Sequence, residues 1–149
     1  VEETCRIVRS ERELSDLYSK SHIIEFLHKN LKQFRDPPDQ IQGAIEYAFS
    51  KAEGKGGFVV LQEMDGSLTG VAVMNATGMH GYIPENILVY LATDSSAAPL
   101  GAGANLLKRA INEAEGDVAL HVEYDNSAKT LYETLGFTSK YVEMRYKKT

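Results

Sequence analysis

The run "ENILVYLATDSSAAPLGAGANLLKRAI", residues 85–111, constrains this chain more than any other part of it. Its first dozen residues, 85–96, are apolar at nearly every position up to Thr93. That is the pattern of a strand covered on both faces, inside a sheet rather than at its edge. Farther on, Leu106, Leu107, Ala110, Ile111 and Ala114 recur at helical spacing, and Gly116 marks a stop. Between the two stand Gly101 and Gly103, so a buried strand enters a helix through a stretch of unusual backbone freedom. A helix start carries unpaired N–H groups and the positive end of the helix dipole, which together suit an anion. A plain turn is the competing reading of any single G-x-G. No lysine or arginine occurs between Lys55 and Lys108, so an anion bound here is held by backbone groups.

The flanking segments set the frame. "TCRIVR" (4–9) alternates as a short strand, and Ser10 with Glu13 has the spacing of a capping box, which starts a helix. In "SHIIEFLHKNLKQF" Ile23, Ile24, Leu27, Leu31 and Phe34 form one helical stripe, stopped by "DPPD" at 36–39. The prolines open a third helix with Ile41, Ala44, Ile45, Ala48 and Phe49 on one face. From residue 57 the period changes to that of strands, and Asp65-Gly66 is a hairpin turn between two of them. After the glycine loop and its helix, "DVALHVEYDN" (117–126) is a strand, Asn126 to Gly136 a short helix, and "YVEMRYK" (141–147) a last strand. This order predicts one α/β domain of the α+β type over residues 1–149, built on a mixed sheet with helices around it.

Several functions are disfavoured. A net charge of −5 argues against nucleic acid, whose phosphates are met by lysine and arginine. It suits a cationic or amine substrate better. No stretch reaches the roughly 18 apolar residues of a membrane span, and no apolar core of a secretory signal occurs, so a cytoplasmic protein without membrane contact is expected. The single cysteine, Cys5, fits a reducing compartment and has no metal-ligand neighbours, so no metal is expected. No Gly-Lys-Ser/Thr loop and no serine elbow is present, which disfavours a nucleotide hydrolase and a Ser-His-Asp hydrolase.

On these residues the chain resembles the GNAT superfamily of acyl-CoA-dependent N-acyltransferases. The family's first motif, Arg or Gln, two residues, Gly, one residue, then Gly or Ala, is met at Gly101 and Gly103, with Ala98 in the Arg/Gln position. Its second, Asn, Ala, Tyr and a closing Gly-Phe, is met by Asn126, Ala128, Tyr132, Gly136 and Phe137. The order of the remaining elements also agrees, so the resemblance covers essentially the whole chain. It implies a mostly antiparallel twisted sheet with splayed central strands, and acetyl-CoA as co-substrate. By the same resemblance the N–H groups of Leu100, Gly101, Ala102, Gly103 and Ala104 hold the CoA pyrophosphate, and Leu91, Ala92 and Thr93 flank the pantetheine arm.

The resemblance also makes Tyr132 the general acid that protonates the departing thiolate; on spacing alone it is a core aromatic. Asn126 is read as a cofactor-side residue and as a helix cap. An amine must lose a proton before it attacks, and Glu85, at the head of the central strand, is the candidate base, directly or through a water; a solvated strand-end acid is the plainer reading. His80, Tyr82, His22 and Glu25 are weaker candidates for the acceptor side. The expected acceptor is a small-molecule or peptide amine, and a homodimer is compatible with the sequence. The rival class is a non-catalytic module of the same fold that binds CoA weakly, or a protein partner instead.

Overall fold

The structure, a computed structural model, describes residues 2–149. Five strands make one sheet in sequential order: β1 (Glu3–Val8), β2 (Gly57–Met64), β3 (Ser67–Ala76), β4 (Asn86–Thr93) and β5 (Val118–Leu120). The first four pair antiparallel and β4 pairs with β5 in parallel. The mixed, mostly antiparallel sheet expected from the sequence is therefore present.

Alternation along the strands decides which face each helix covers. Val59, Leu61, Val71 and Val73 point to one face, where α1 (Glu11–Ser15), α2 (Lys20–Asn30) and α3 (Pro38–Phe49) bury Leu14, Ile23, Leu27, Ile41 and Ile45. Phe58, Val60, Ala72 and Met74 point to the other, under α4 (Ala102–Glu113) and α5 (Ala128–Thr134). Both faces are covered, which is why β2, β3 and β4 read as almost unbroken apolar runs. No helix among the described residues is long and apolar enough to cross a membrane.

Local signals act as their chemistry dictates. Ser10 Oγ accepts the N–H of Glu13 at 3.1 Å, and the Glu13 carboxylate takes the Arg9 N–H at 2.8 Å, so α1 starts on a reciprocal cap. Asp65 and Gly66 have φ of 51° and 83°, the left-handed pair of a type I′ hairpin turn. Pro38 occupies the first turn of α3, where a missing N–H costs nothing. The helix read through Phe34 stops earlier than the prolines, at Asn30: Lys32 takes a left-handed φ of 56°, which breaks the α-helical ladder, and Lys32–Phe34 follow as a 3-10 turn.

Two expectations fail at the C-terminal end. The strand read over 117–126 is formed only at Val118–Leu120, and the strand read over 141–147 is not formed at all. An apolar–polar alternation makes a strand only where a sheet edge and a covering layer receive it. Residues 141–147 have neither: Tyr141, Val142, Met144 and Tyr146 are all exposed.

A polar cluster ties the turn after α1 to the sheet and carries a pH signature. The Tyr18 hydroxyl donates to Glu63 Oε2, and Arg6 Nε reaches Glu63 Oε1 at 3.0 Å. Burial, then the bond to Glu63, pushes the Tyr18 phenol up to about 12, while the Tyr18 hydroxyl and Arg6 hold the Glu63 carboxyl below the usual carboxylate range. Tyr18 is raised, so its share of stability is complete below the ordinary phenol value of about 10 and is lost as pH rises through about 12. Glu63 is lowered, so its share is present above about 4.3 and lost as pH falls below that. Urea unfolding of wild type and Tyr18→Phe should show a stability gap that narrows between pH 9 and about pH 12. A gap independent of pH counts against the assignment.

Candidate active site

β4 builds the site because it keeps a neighbour along only part of one edge. Its pairing with β5 runs Asn86↔Val118, Ile87↔Ala119, Leu88↔Leu120 and then stops. Pairing with β3 continues to Thr93, with a bulge where Tyr90 faces Val73 and Leu88 faces Met74, leaving Val89 as the extra residue. Val89–Thr93 thus present an edge with no strand beside it among the described residues.

The direction of the backbone groups on that edge follows from one bond. Asp94 N–H donates to Thr69 O at 2.8 Å, so by alternation Ala92 also faces β3, while Leu91 and Thr93 aim their N–H and C=O at the opening. Of the three strand residues singled out in the sequence, Leu91 and Thr93 offer main-chain groups. Ala92 spends its own within the sheet and buries its methyl on the α2 and α3 face.

The loop that follows is tightly wound. Asp94 Oδ1 accepts from Ser96 N at 2.8 Å and Ser96 Oγ at 2.6 Å, and Asp94 O accepts from Ala97 and Ala98 N–H. Ala98–Leu100 make a 3-10 turn in which Leu100 N–H goes to Ala97 O and Gly101 N–H to Ala98 O. Gly101 then turns the chain at φ 81°, and α4 begins at Ala102. A side chain at Gly101 would meet nothing within 4 Å, so the left-handed φ, not crowding, is what calls for glycine. The N–H groups of Ala102, Gly103 and Ala104 have no backbone acceptor, whereas those of Leu100 and Gly101 are consumed within the turn. The cradle therefore holds three of the five N–H groups expected from the sequence. They lie in the first turn of a twelve-residue helix, the positive end of its dipole.

α5 closes the other side. A Cβ at Gly103 would stand 3.4 Å from Leu131 Cδ2, so α5 lies against the first turn of α4. Tyr132 is buried in the core that also takes in Leu91, Leu120 and Val122, its ring edge-on to Phe137 with centroids 5.7 Å apart. Its hydroxyl has no protein partner, yet no buried side-chain oxygen or nitrogen among the described residues lacks one. The hydroxyl consequently reaches solvent-accessible space while the ring stays in the core. Burial raises the phenol above its ordinary value and keeps it protonated at neutral pH. Asn126 Oδ1 accepts the Ala128 N–H at 2.9 Å in an Asx turn one residue before the N-cap of α5, which is Ser127 and makes no side-chain cap bond, so Asn126 is not itself the cap read from the sequence.

Glu85 lies elsewhere. It precedes β4, six residues before Leu91, which at about 3.3 Å per residue is roughly 20 Å along the strand. Its Oε1 accepts the Asp117 N–H at 2.8 Å, and that bond holds the carboxyl below the usual range. Separation and lowered basicity both weigh against direct proton acceptance there. With Arg9, Phe58, Met79 and Glu113 it lines a cavity of about 450 Å³ at the strand's far end. A second cavity, about 390 Å³, opens at the loop end of β4 between α2 and the β2–β3 hairpin, lined among others by Tyr18, His22, Glu25, Lys29 and Asp94. Sequence spacing does not reveal this cleft, because its walls come from four separate elements.

A strand with an unpaired edge running into an N–H cradle, with a phenol alongside, is the outline of an acyl-CoA-binding transferase fold. The family description "Acetyltransferase (GNAT) domain" matches residues 25–148, and the chain belongs to that family. No curated protein matches it in sequence. Among solved structures it is similar to aminoglycoside N-acetyltransferase AAC(6')-Iy in complex with CoA, with TM-score 0.69, 14% identity, and coverage of 99% of this chain and 97% of that one. An integron cassette protein from the mobile metagenome of V. cholerae gives TM-score 0.66 at 18% identity over 100% and 93%. The ribosomal-protein-S18-alanine N-acetyltransferase of Escherichia coli gives 0.61 at 17% over 93% and 80%. At such identities these structures speak to the fold.

Proposed function

We propose that the chain moves an acetyl group from acetyl-CoA to a primary amine by direct attack while both substrates are bound. The observation that carries this reading is the continuity between the open Leu91–Thr93 edge and the N–H groups of Ala102, Gly103 and Ala104. Those N–H groups bind the pyrophosphate, and glycine at 101 and 103 lets the backbone come close to it. Leu91 and Thr93 offer alternate main-chain donors and acceptors to the pantetheine amides, and Leu91 N–H polarises the thioester carbonyl as an oxyanion donor. Tyr132 gives its proton to the leaving thiolate. Amine acceptors are named for two of the structural neighbours, an aminoglycoside and a protein alanine.

The acceptor enters through the cleft of His22, Glu25 and Asp94, since Asp94 is only three residues, about 10 Å, beyond Leu91. Glu25 and Asp94 supply negative charge for an ammonium group, in keeping with the acidic chain. This cleft suits the proton acceptor better than Glu85, which stands at the opposite end of the strand.

Thermal unfolding with acetyl-CoA tests the reading first. At a hundredfold excess over Kd, ligand binding adds about 2.7 kcal/mol, which raises Tm by roughly 5 °C or more for a chain of this size. No shift at millimolar acetyl-CoA sinks both the enzyme and the CoA-sensor readings. A shift without release of free thiol, across a panel of amines, favours the non-catalytic module instead, a reading that the exposed methyl of Ala98 supports.

A further inference from the structure

Gln62 is the one fully buried side chain of its size among the described residues that is polar, and it points at the cradle from inside the protein. Its Nε2 donates to the carbonyl of Ala102 at 2.9 Å, and its Oε1 accepts from Thr69 Oγ1 at 3.1 Å. The local backbone is arranged around this amide. β2 and β3 shift register between Gln62↔Gly70 and Glu63↔Leu68, leaving Thr69 as a bulge residue whose hydroxyl reaches Gln62. At Gly70 a Cβ would stand 2.8 Å from Gln62 Oε1 and 3.0 Å from Leu106 Cδ2. Glycine there leaves room both for the amide and for α4 to sit down on the sheet.

We propose that Gln62 is a positioning residue for the phosphate cradle, acting through the Ala102–Gly103 peptide; the assignment rests on the acetyl-CoA reading above. The Ala102 carbonyl and the Gly103 N–H belong to one planar trans unit and point in opposite directions. The carbonyl already begins the α4 ladder, and the second donor from Gln62 steadies it there and with it the direction in which the Gly103 N–H aims. A hydrogen bond to that carbonyl also polarises the peptide, so the Gly103 N–H becomes a stronger donor. In a loop with no lysine or arginine from residue 56 to 107, a polarised backbone donor takes on part of the role that a charged side chain would have. The Ala102 carbonyl, which can only accept, fixes which end of the Gln62 amide faces it, and the Thr69 hydroxyl satisfies the Oε1 left on the other side.

The test compares two ligands that share the pantetheine arm and differ in the 3′-phospho-ADP that carries the pyrophosphate: CoA and pantetheine, each titrated by NMR against wild type, Gln62→Met and Thr69→Val. Methionine keeps the volume and loses the donor. The expected result is a CoA Kd about fivefold weaker in Gln62→Met, a smaller loss in Thr69→Val, and pantetheine affinity unchanged in both. A merely structural role lowers Tm and either spares both ligands or weakens both alike, and either pattern overturns the assignment. Should Gln62→Met fail to fold, Thr69→Val decides by the same ratio. A wild type that binds neither ligand overturns the acetyl-CoA reading along with it, whereas a wild type that binds CoA with an unmoved ratio overturns Gln62 alone.

Discussion

Tyr132→Phe is expected to lower kcat about a hundredfold while leaving the CoA Kd and the melting temperature where they were. The separation rests on how the residue is held. Its ring is core, packed edge-on to Phe137 and surrounded by Leu91, Leu120 and Leu131, and phenylalanine keeps all of that. Its hydroxyl has no hydrogen-bond partner among the described residues, so removing it strands none of them and costs the fold little. What disappears is the hydroxyl that, in the proposed mechanism, protonates the leaving thiolate. General acids contribute about 10² to 10⁴ in rate, and the proposed role for Tyr132 puts it at the lower end. Burial raises the phenol, so it gives up its proton reluctantly to a thiolate whose own value is near 8.5. Single-turnover measurements with acetyl-CoA and a reactive amine read the chemical step directly. A rate within threefold of wild type removes Tyr132 from the chemistry and leaves it a core aromatic, as its helical spacing alone suggests.

The same residue shows what the sequence carried and what it did not. Patterns that depend on neighbours in the chain were legible: the Ser10 cap, the Asp65-Gly66 turn, the opening of α3 at Pro38, the switch from helical to strand period at residue 57. The glycine loop was legible as a place, but its donors were not, because a 3-10 turn consumes the Leu100 and Gly101 N–H groups and no spacing announces that. Pairing is not a local property either. The apolar run after Asp117 and the alternation at 141–147 look alike as strings; one meets β4 for three residues and the other meets no sheet edge. Glu85 drew attention by its position before the central strand. The fold puts it at the opposite end of β4 from the loop, and the strand carries Leu91 away from it. Gln62 gave no signal in the sequence, being one polar residue in an apolar strand, and only burial with its partner Ala102 shows its connection to the site.

Ala98→Arg is expected to tighten acetyl-CoA binding ten- to a hundredfold. Ala98 stands in the position where the family's first motif has Arg or Gln, and its side chain is exposed on the 3-10 turn that leads into Gly101. Its N–H is already bound to Asp94 O at 3.1 Å, a bond that any L residue can make in that conformation, so the loop geometry survives the change. A charged donor facing a phosphate contributes about 1.5–3 kcal/mol, which converts to roughly ten- to a hundredfold in Kd. The gain should shrink with added salt, because an exposed charge is screened over about 8 Å at physiological ionic strength. Ala98→Gln, with a shorter reach and no charge, should give a smaller gain that salt leaves alone. Calorimetric titration of the three proteins at low and high salt separates the cases. If neither variant binds acetyl-CoA more tightly than wild type, the anion does not sit over this turn, and the three N–H groups of α4 lose their assigned ligand. If arginine alone restores turnover to a chain that otherwise only binds, the natural alanine marks a transferase domain whose cradle has been weakened at one side chain, with Tyr132 still in place to act.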